Sequence, residues 1–203
     1  MKKKPPVRDD VPWVKRQEIP DPQILGAASQ YAQACRVLVP QTGVLLPLMN
    51  VAVMAVELYL KALSAEMIHV KDELMPDVSR VYAEPRHGHE LVPLLDVIPD
   101  DVRTELFDAF EAELGRTWGV DLGNVLKEFD GALISSRYPF EYGVDITEYN
   151  SGRLVRMVEF LSRFVERLLP REYIVWKAVE QRAAPDEQSA GHENRPPAGE
   201  RER

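Results

Sequence analysis

A long apolar segment, residues 44–67 (VLLPLMNVAVMAVELYLKALSAEM), constrains the fold of this chain more than any other feature. It predicts one long helix that is apolar on almost every face, and such a helix belongs in the middle of a bundle. Its polar residues Asn50, Glu57 and Lys61 are spaced at i, i+7 and i+11, which places them on one stripe. Glu57 and Lys61 also have the i, i+4 order that favours a charge pair. The stripe is either a solvated strip or a polar seam that holds a charged group from a neighbouring helix.

The composition is that of a soluble globular chain with one domain. The 203 residues are 45% hydrophobic and 29% charged, which is enough for a core of ordinary size. The net charge of -8 disfavours non-specific binding to a phosphate backbone, so any nucleic-acid site would be a local basic patch. The single cysteine, Cys35, excludes an internal disulfide and is compatible with a reducing cytosol. No apolar run follows the basic start, and we expect a cytoplasmic protein that does not bind membranes.

The hydrophobic pattern predicts an all-α fold, a single bundle of about five to six helices over residues 22–182. Residues 1–21 are proline-rich and read as an irregular leader, and residues 183–203 are too polar to bury anything and read as a disordered tail. Residues 68–86 lose the helical pattern and read as an irregular connection without strands. The predicted helices cover residues 23–39, 44–67, 89–97, 99–115, 122–136 and 150–169, with one or two further turns after Pro170.

Arg137 lies at the end of a predicted helix whose apolar face contains Leu126, Phe129 and Leu133. It continues that face at helical spacing. One interpretation is a cation that interacts with the helix dipole and the free carbonyls of the last turn. The other is that Arg137 points into the polar seam, pairs with Glu57 and presents its planar donors to a phosphate.

The segment His87-Gly88-His89-Glu90 contains two imidazoles and a carboxylate, which are good zinc ligands. A third and a fourth ligand are not evident from the sequence, so we predict no metal site. His89 is expected to cap its helix, to pack against the core or to line a cleft.

Three arginines of the last long helix, Arg156, Arg163 and Arg167, lie on one stripe at i, i+7 and i+11. Glu159 and Glu166 are interleaved with them. The pattern predicts a solvated charged face, with a minor role in contacting phosphate as the alternative.

Three segments of the chain, AVELYLKALSAEM, HGHELVPLL and SSRYPFEY, together resemble the HEPN superfamily (higher eukaryotes and prokaryotes nucleotide-binding domains). The resemblance covers roughly residues 22–170. It implies a compact helical bundle of a kind that commonly dimerises. Many such domains are metal-independent endoribonucleases of toxin–antitoxin, abortive-infection or other conflict systems, and others are non-catalytic binding modules.

Active members of that superfamily carry an arginine followed four to six residues later by a histidine, with a polar or acidic residue from an earlier helix. By this resemblance Arg137 matches the arginine and Glu57 matches the acidic partner. Positions 142 and 143 are Tyr142 and Gly143, so the histidine is missing. Tyr142 is a poorer acid or base near neutrality, because an unperturbed tyrosine has a pKa of about 10. His89 is the other candidate to replace the histidine.

We therefore expect an HEPN-like protein that binds RNA or a nucleotide, in a toxin-type or defence context, with an incomplete ribonuclease motif. The expected partners are a second copy of the chain and an antitoxin or other protein, without a cofactor. One alternative is a non-catalytic scaffold for protein–protein interaction. Another is a metal-independent endoribonuclease that uses Tyr142 or His89, and a metal-dependent hydrolase using His87 and His89 would require bound metal. The expected site residues are Glu57, His89, Arg137 and Tyr142 as catalytic candidates and Asn50, Lys61, Arg156 and Arg163 as binding candidates.

Overall fold

The computed structural model describes residues 13–71, 79–84, 88–138 and 146–177, and it consists of a helical bundle with a small antiparallel sheet. The predicted helical bundle is confirmed. The helices are α1 (Pro22–Leu38), α2 (Leu45–Ala62), α3 (Leu91–Asp96), α4 (Asp100–Phe110), α5 (Arg116–Trp118), α6 (Leu122–Glu128), α7 (Ala132–Arg137) and α8 (Ser151–Arg167). The strands are β1 (Trp13–Ile19), β2 (Glu66–Lys71), β3 (Ser79–Glu84) and β4 (Arg171–Lys177).

Helices α1 and α2 form an antiparallel pair, as the short loop between them predicts. Asp21 begins α1 by accepting hydrogen bonds from the backbone N–H groups of Gln23 and Ile24, at 3.0 and 2.9 Å. Its own backbone N–H donates to the carbonyl of Ala62 at 2.8 Å, so the start of α1 meets the end of α2. The predicted extent of α2 is wrong at its C-terminal end, because Met67 belongs to β2.

Helix α2 is the centre of the bundle and packs against α1, α3, α7 and α8. The inner face of α8 is the apolar stripe that its spacing predicts, and Asn150 caps this helix by accepting from Arg153 N at 2.9 Å. Burying one such side chain contributes about 1.5–3 kcal/mol, so the α2–α8 contact is a main source of stability. The buried residues of this stripe are Leu154, Val158, Leu161, Val165 and Leu168.

The helix predicted to end at Gly115 continues further. Helix α4 passes through a π-helical turn, Glu111–Gly115, into α5, and Gly119 with φ of 64° terminates the run. The apolar pattern predicts Phe107 on the core face, but this residue is 37% exposed, whereas Val102, Leu106, Phe110 and Leu114 are buried.

The single helix predicted over residues 122–136 is two helices. Helix α6 ends at Glu128, and Gly131 adopts a φ of 81° before α7 begins. Leu122, Val125, Leu126, Phe129 and Leu133 are nevertheless buried, because both helices keep their apolar side on the core. Arg137 therefore does not continue one helical face from Leu126, and its direction is set by α7 alone.

A four-stranded antiparallel sheet with the order β3-β2-β1-β4 corrects three predictions. Residues 13–19 of the predicted irregular leader are β1, the predicted irregular connection contains β2 and β3, and residues 171–177 are β4 instead of helical turns. These segments are extended because neighbouring strands bind their backbone N–H and C=O groups. Where the neighbouring strand is distant in sequence, the local pattern of residues does not indicate the pairing. Residues 183–203, predicted to be disordered, lie outside the described residues.

By length and composition, one helix of the described residues, α2, is apolar and long enough to cross a membrane, and half of it is buried inside the bundle.

Candidate functional site

A buried carboxylate on α2 is the centre of the candidate site. Glu57 is 2% exposed. Lys61, one turn further along α2, donates from Nζ to Glu57 Oε1 at 2.6 Å. This is the i, i+4 pair that the sequence predicts. A buried carboxylate requires such donors, because burial without them is unfavourable.

His89 approaches the same carboxylate from the segment that precedes α3. Its Nδ1 lies 3.1 Å from both Oε1 and Oε2 of Glu57. A carboxylate only accepts hydrogen bonds, so Nδ1 carries the proton and donates. The His89 side chain is 52% exposed, which leaves Nε2 as the ring nitrogen for proton exchange with a ligand. Glu57 thus orients an accessible imidazole, and the polar-seam interpretation of the α2 stripe agrees with this arrangement.

Arg137 contacts α2 through Met54 and does not bind Glu57 in the described structure. Its Nη2 is 3.6 Å from Sδ of Met54, and the guanidinium is exposed at the end of α7. The predicted pairing of Arg137 with Glu57 is therefore not the arrangement observed, because Lys61 and His89 bind that carboxylate. Met54 precedes Glu57 by three residues, which corresponds to about 4.5 Å along the helix axis. The exposed guanidinium of Arg137 thus contacts α2 about one helical turn before the carboxylate that binds His89.

Asn50 connects α7 to α2 at the other end of the stripe. Its Nδ2 donates to Oγ of Ser136 at 3.3 Å, and Ser136 Oγ donates to the carbonyl of Leu133 at 3.1 Å. Asn50 thus anchors the turn of α7 that precedes Arg137. Two polar residues of the α2 stripe, Asn50 and Glu57, thus contact the elements that carry Arg137 and His89.

The arginines of α8 are not brought to this group. Arg163 forms an ion pair with Glu113 of the π-helical turn, and Arg167 Nη2 lies 3.7 Å from Glu113 Oε2. Arg156 is exposed on the same helix. The predicted charged face of α8 is observed for these residues, and their role in binding stays a prediction.

Tyr142, a predicted site residue, lies outside the described residues, and so does His87, which the metal-dependent alternative would use. Among the described side chains there is no group of three or more His, Cys, Asp and Glu residues that could hold a metal ion.

Cys35 of α1 is buried in the hydrophobic core of the bundle. Burial raises the pKa of the thiol to about 11, and the negative charge of Glu159 contributes to the same rise. The protonated thiol acts as a small apolar side chain and not as a nucleophile.

Sequence reasoning missed Met54, Ser136 and Asp130 around this group. Met54 was detectable, because it lies on the stripe between Asn50 and Glu57. The contacts of Ser136 and Asp130 depend on the break between α6 and α7, which the helical periodicity concealed.

The comparisons with known proteins give no relative for this chain. No protein-family model matches it. No curated protein matches it. No solved structure matches it. The resemblance to the HEPN superfamily therefore remains a prediction from the residues.

Proposed function

We propose that this protein binds RNA at the group formed by Glu57, His89 and Arg137 and cleaves it without a metal ion. The contact of His89 Nδ1 with both oxygens of the buried Glu57 is the observation that carries the proposal. A carboxylate that holds one ring nitrogen fixes the tautomer and the direction of the imidazole, which prepares the other nitrogen for general acid or base catalysis. The toxin-type or defence context and the homodimer belong to this proposal through the resemblance alone.

The proposed reaction is transfer within the RNA strand. His89 Nε2 accepts the proton of a ribose 2′-hydroxyl while that oxygen attacks the adjacent phosphorus. The bond from phosphorus to the 5′ oxygen of the next nucleotide breaks, and this oxygen takes a proton from water. The hydroxide that is left takes up the proton held by His89 and restores the neutral imidazole. The products are a 2′,3′-cyclic phosphate and a free 5′-hydroxyl. Arg137 binds the phosphate, because its planar guanidinium can donate two parallel hydrogen bonds to two phosphate oxygens.

The test is cleavage of a labelled pool of cellular RNA in the presence of a chelator. Wild type should cleave and should leave 2′,3′-cyclic phosphate ends. His89→Ala should lose about 100-fold or more of the rate, since general acid–base catalysis typically contributes about 10²–10⁴-fold. Arg137→Ala should lose binding and rate.

Arg116→Ala is the matched control, because it removes an exposed arginine of α5, a helix that carries none of the candidate site residues. It should cleave as wild type does. Equal cleavage by all four proteins would identify a contaminant or another site, and no cleavage by wild type would contradict the proposal.

A protein-interaction module is the second candidate, and the exposed side of α7 supports it. Ile134 is 42% exposed and Tyr138 is 48% exposed, on either side of Arg137. Apolar side chains in such a position are typical of a surface that another protein covers. Absence of RNA cleavage together with a folded wild-type protein would favour this candidate.

A further inference from the structure

Asp130 connects the segment of His89 to the loop that begins α7. Its Oδ1 accepts a hydrogen bond of 2.8 Å from the backbone N–H of Leu91, which is 39 residues away in the sequence. Leu91 is the first residue of α3, is 1% exposed and follows His89 by two positions. The Asp130 carboxylate therefore fixes the backbone next to His89.

The start of α3 depends on this contact. Glu90, the residue at the N-cap position of α3, makes no side-chain capping hydrogen bond. Gly88 has a φ of 107°, a conformation that glycine adopts more readily than any other residue. A hydrogen-bonded carboxylate at a helix start supplies the missing cap and restricts the chain that leads into it.

The same loop also sets the position of Arg137. Asp130 directly precedes Gly131, and α7 runs from Ala132 to Arg137 as a single short helix. The Asp130 side chain thus links the backbone segment that carries His89 to the helix that carries Arg137. The two groups approach α2 from different parts of the chain, and Asp130 holds those parts together.

We infer that Asp130 is a positioning residue for His89, which keeps the imidazole on Glu57. This inference rests on the proposed function for its effect on RNA cleavage, but the orientation of His89 can be measured without RNA. Without the Asp130 hydrogen bond, the segment from Gly88 to Leu91 gains conformational freedom and His89 Nδ1 leaves the carboxylate.

The experiment is ¹⁵N nuclear magnetic resonance of the His89 ring at about pH 8, above the ordinary histidine pKa of about 6.5. The ¹⁵N shifts of the two ring nitrogens distinguish the Nδ1–H tautomer, which a bond to Glu57 requires, from the Nε2–H tautomer. Wild type should show the Nδ1–H tautomer, and Asp130→Ala should shift the population towards Nε2–H. Asp130→Asn should retain Nδ1–H, because the amide oxygen can accept from Leu91.

Asn150→Ala is the matched control for loss of a helix cap, because Asn150 caps α8 through Arg153 N. It should lower the urea midpoint of unfolding to a similar degree and leave the His89 tautomer unchanged. RNA cleavage should fall roughly 10- to 100-fold in Asp130→Ala, since a small misplacement of a reacting group has effects of that order.

The outcomes separate the two proposals. An unchanged His89 tautomer in folded Asp130→Ala would overturn the positioning role, whatever the cleavage assay shows. A shifted tautomer with an unchanged control supports it, even if wild type does not cleave RNA and the proposed function fails. If Asp130→Ala does not fold, the comparison uses Asp130→Asn, which keeps an acceptor for Leu91, and Glu57→Gln, which changes the acceptor of His89 Nδ1. If the His89 tautomer population shifts as far in Asp130→Asn as in Glu57→Gln, the role of the Asp130 hydrogen bond is overturned.

Discussion

At the scale of the residue, the candidate site depends on one carboxylate in an apolar environment. Glu57 has apolar neighbours on α2, and its two donors come from the same helix and from a separate segment. Lys61 is 19% exposed and His89 is 52% exposed, so both partners contact water while Glu57 does not. The carboxylate of the polar seam is thus buried, and solvent reaches the side chains of its two donors.

Replacing Glu57 by alanine should destabilise the fold. Lys61 and His89 lose their shared acceptor, but both contact water. We therefore expect the free energy of unfolding to fall by about 1–3 kcal/mol, the usual cost of leaving a buried polar group without its partner. Urea denaturation followed by circular dichroism measures it. Asp108→Ala, which changes an exposed carboxylate of α4, is the control and should stay within about 0.5 kcal/mol of wild type. Equal stability of Glu57→Ala and wild type would show that the contact is not formed.

At the scale of the element, the break between α6 and α7 decides where Arg137 points. The break is made by Gly131, whose φ of 81° is rarely adopted by other residues. A Cβ atom at this position would meet nothing closer than the Tyr149 hydroxyl oxygen at 3.9 Å. Space is therefore available, and the backbone conformation is the only obstacle to substitution there.

Gly131→Ala and Gly26→Ala form a matched pair. Gly131→Ala should lower the free energy of unfolding by about 1–2 kcal/mol, because an L-residue is strained at positive φ. Gly26 lies inside α1, where an added Cβ atom would have no other atom within 4 Å, so Gly26→Ala should raise stability by about 0.5–1 kcal/mol. Thermal or urea unfolding of both variants checks the signs. A stabilising Gly131→Ala would contradict the observed break.

At the scale of the whole molecule, a polar cluster joins the sheet to the bundle. Arg171 of β4 donates to Asp101 Oδ2 at 2.8 Å and to Glu105 Oε1 at 2.5 Å, both on α4. The Tyr173 hydroxyl donates to Asp101 Oδ2 at 2.7 Å. The Tyr173 hydrogen bond, together with that of Arg171, lowers the pKa of Asp101, and burial raises the pKa of Tyr173. The cluster holds strand β4, which follows α8, against α4.

This cluster predicts a pH dependence with a defined sign. The folded-state pKa of Asp101 is below its ordinary value of about 3.9, so its contribution to stability is present above that pH and disappears as the pH falls through the folded-state value. Tyr173→Phe should therefore be less stable than wild type near neutrality, and the difference should narrow below about pH 4. Urea midpoints across this range measure it, with Tyr31→Phe of α1 as the control. A difference that stays constant with pH would rule out the contact of Tyr173 with the ionised carboxylate.

Particular residues show which contacts are predictable from local spacing. The burial of Leu154, Val158 and Leu161 is predictable from their spacing, because residues three and four positions apart lie on the same face of a helix. The Glu57–Lys61 pair was predictable for the same reason. Gly131 was not recognised as a break, because the apolar spacing continues across it and both helices bury the same side.

The long helices, the central place of α2 and the stripe of Asn50, Glu57 and Lys61 follow from the amino-acid order alone, since these features depend on contacts a few residues apart. Folding in three dimensions decided that residues 13–19 and 171–177 are strands, because the two segments are distant in sequence and are hydrogen-bonded as neighbours in one sheet. It also decided that His89, and not Arg137, binds Glu57, a contact between residues 32 positions apart. Such contacts form only when the helices have packed, because no local pattern specifies which neighbour a buried carboxylate will meet.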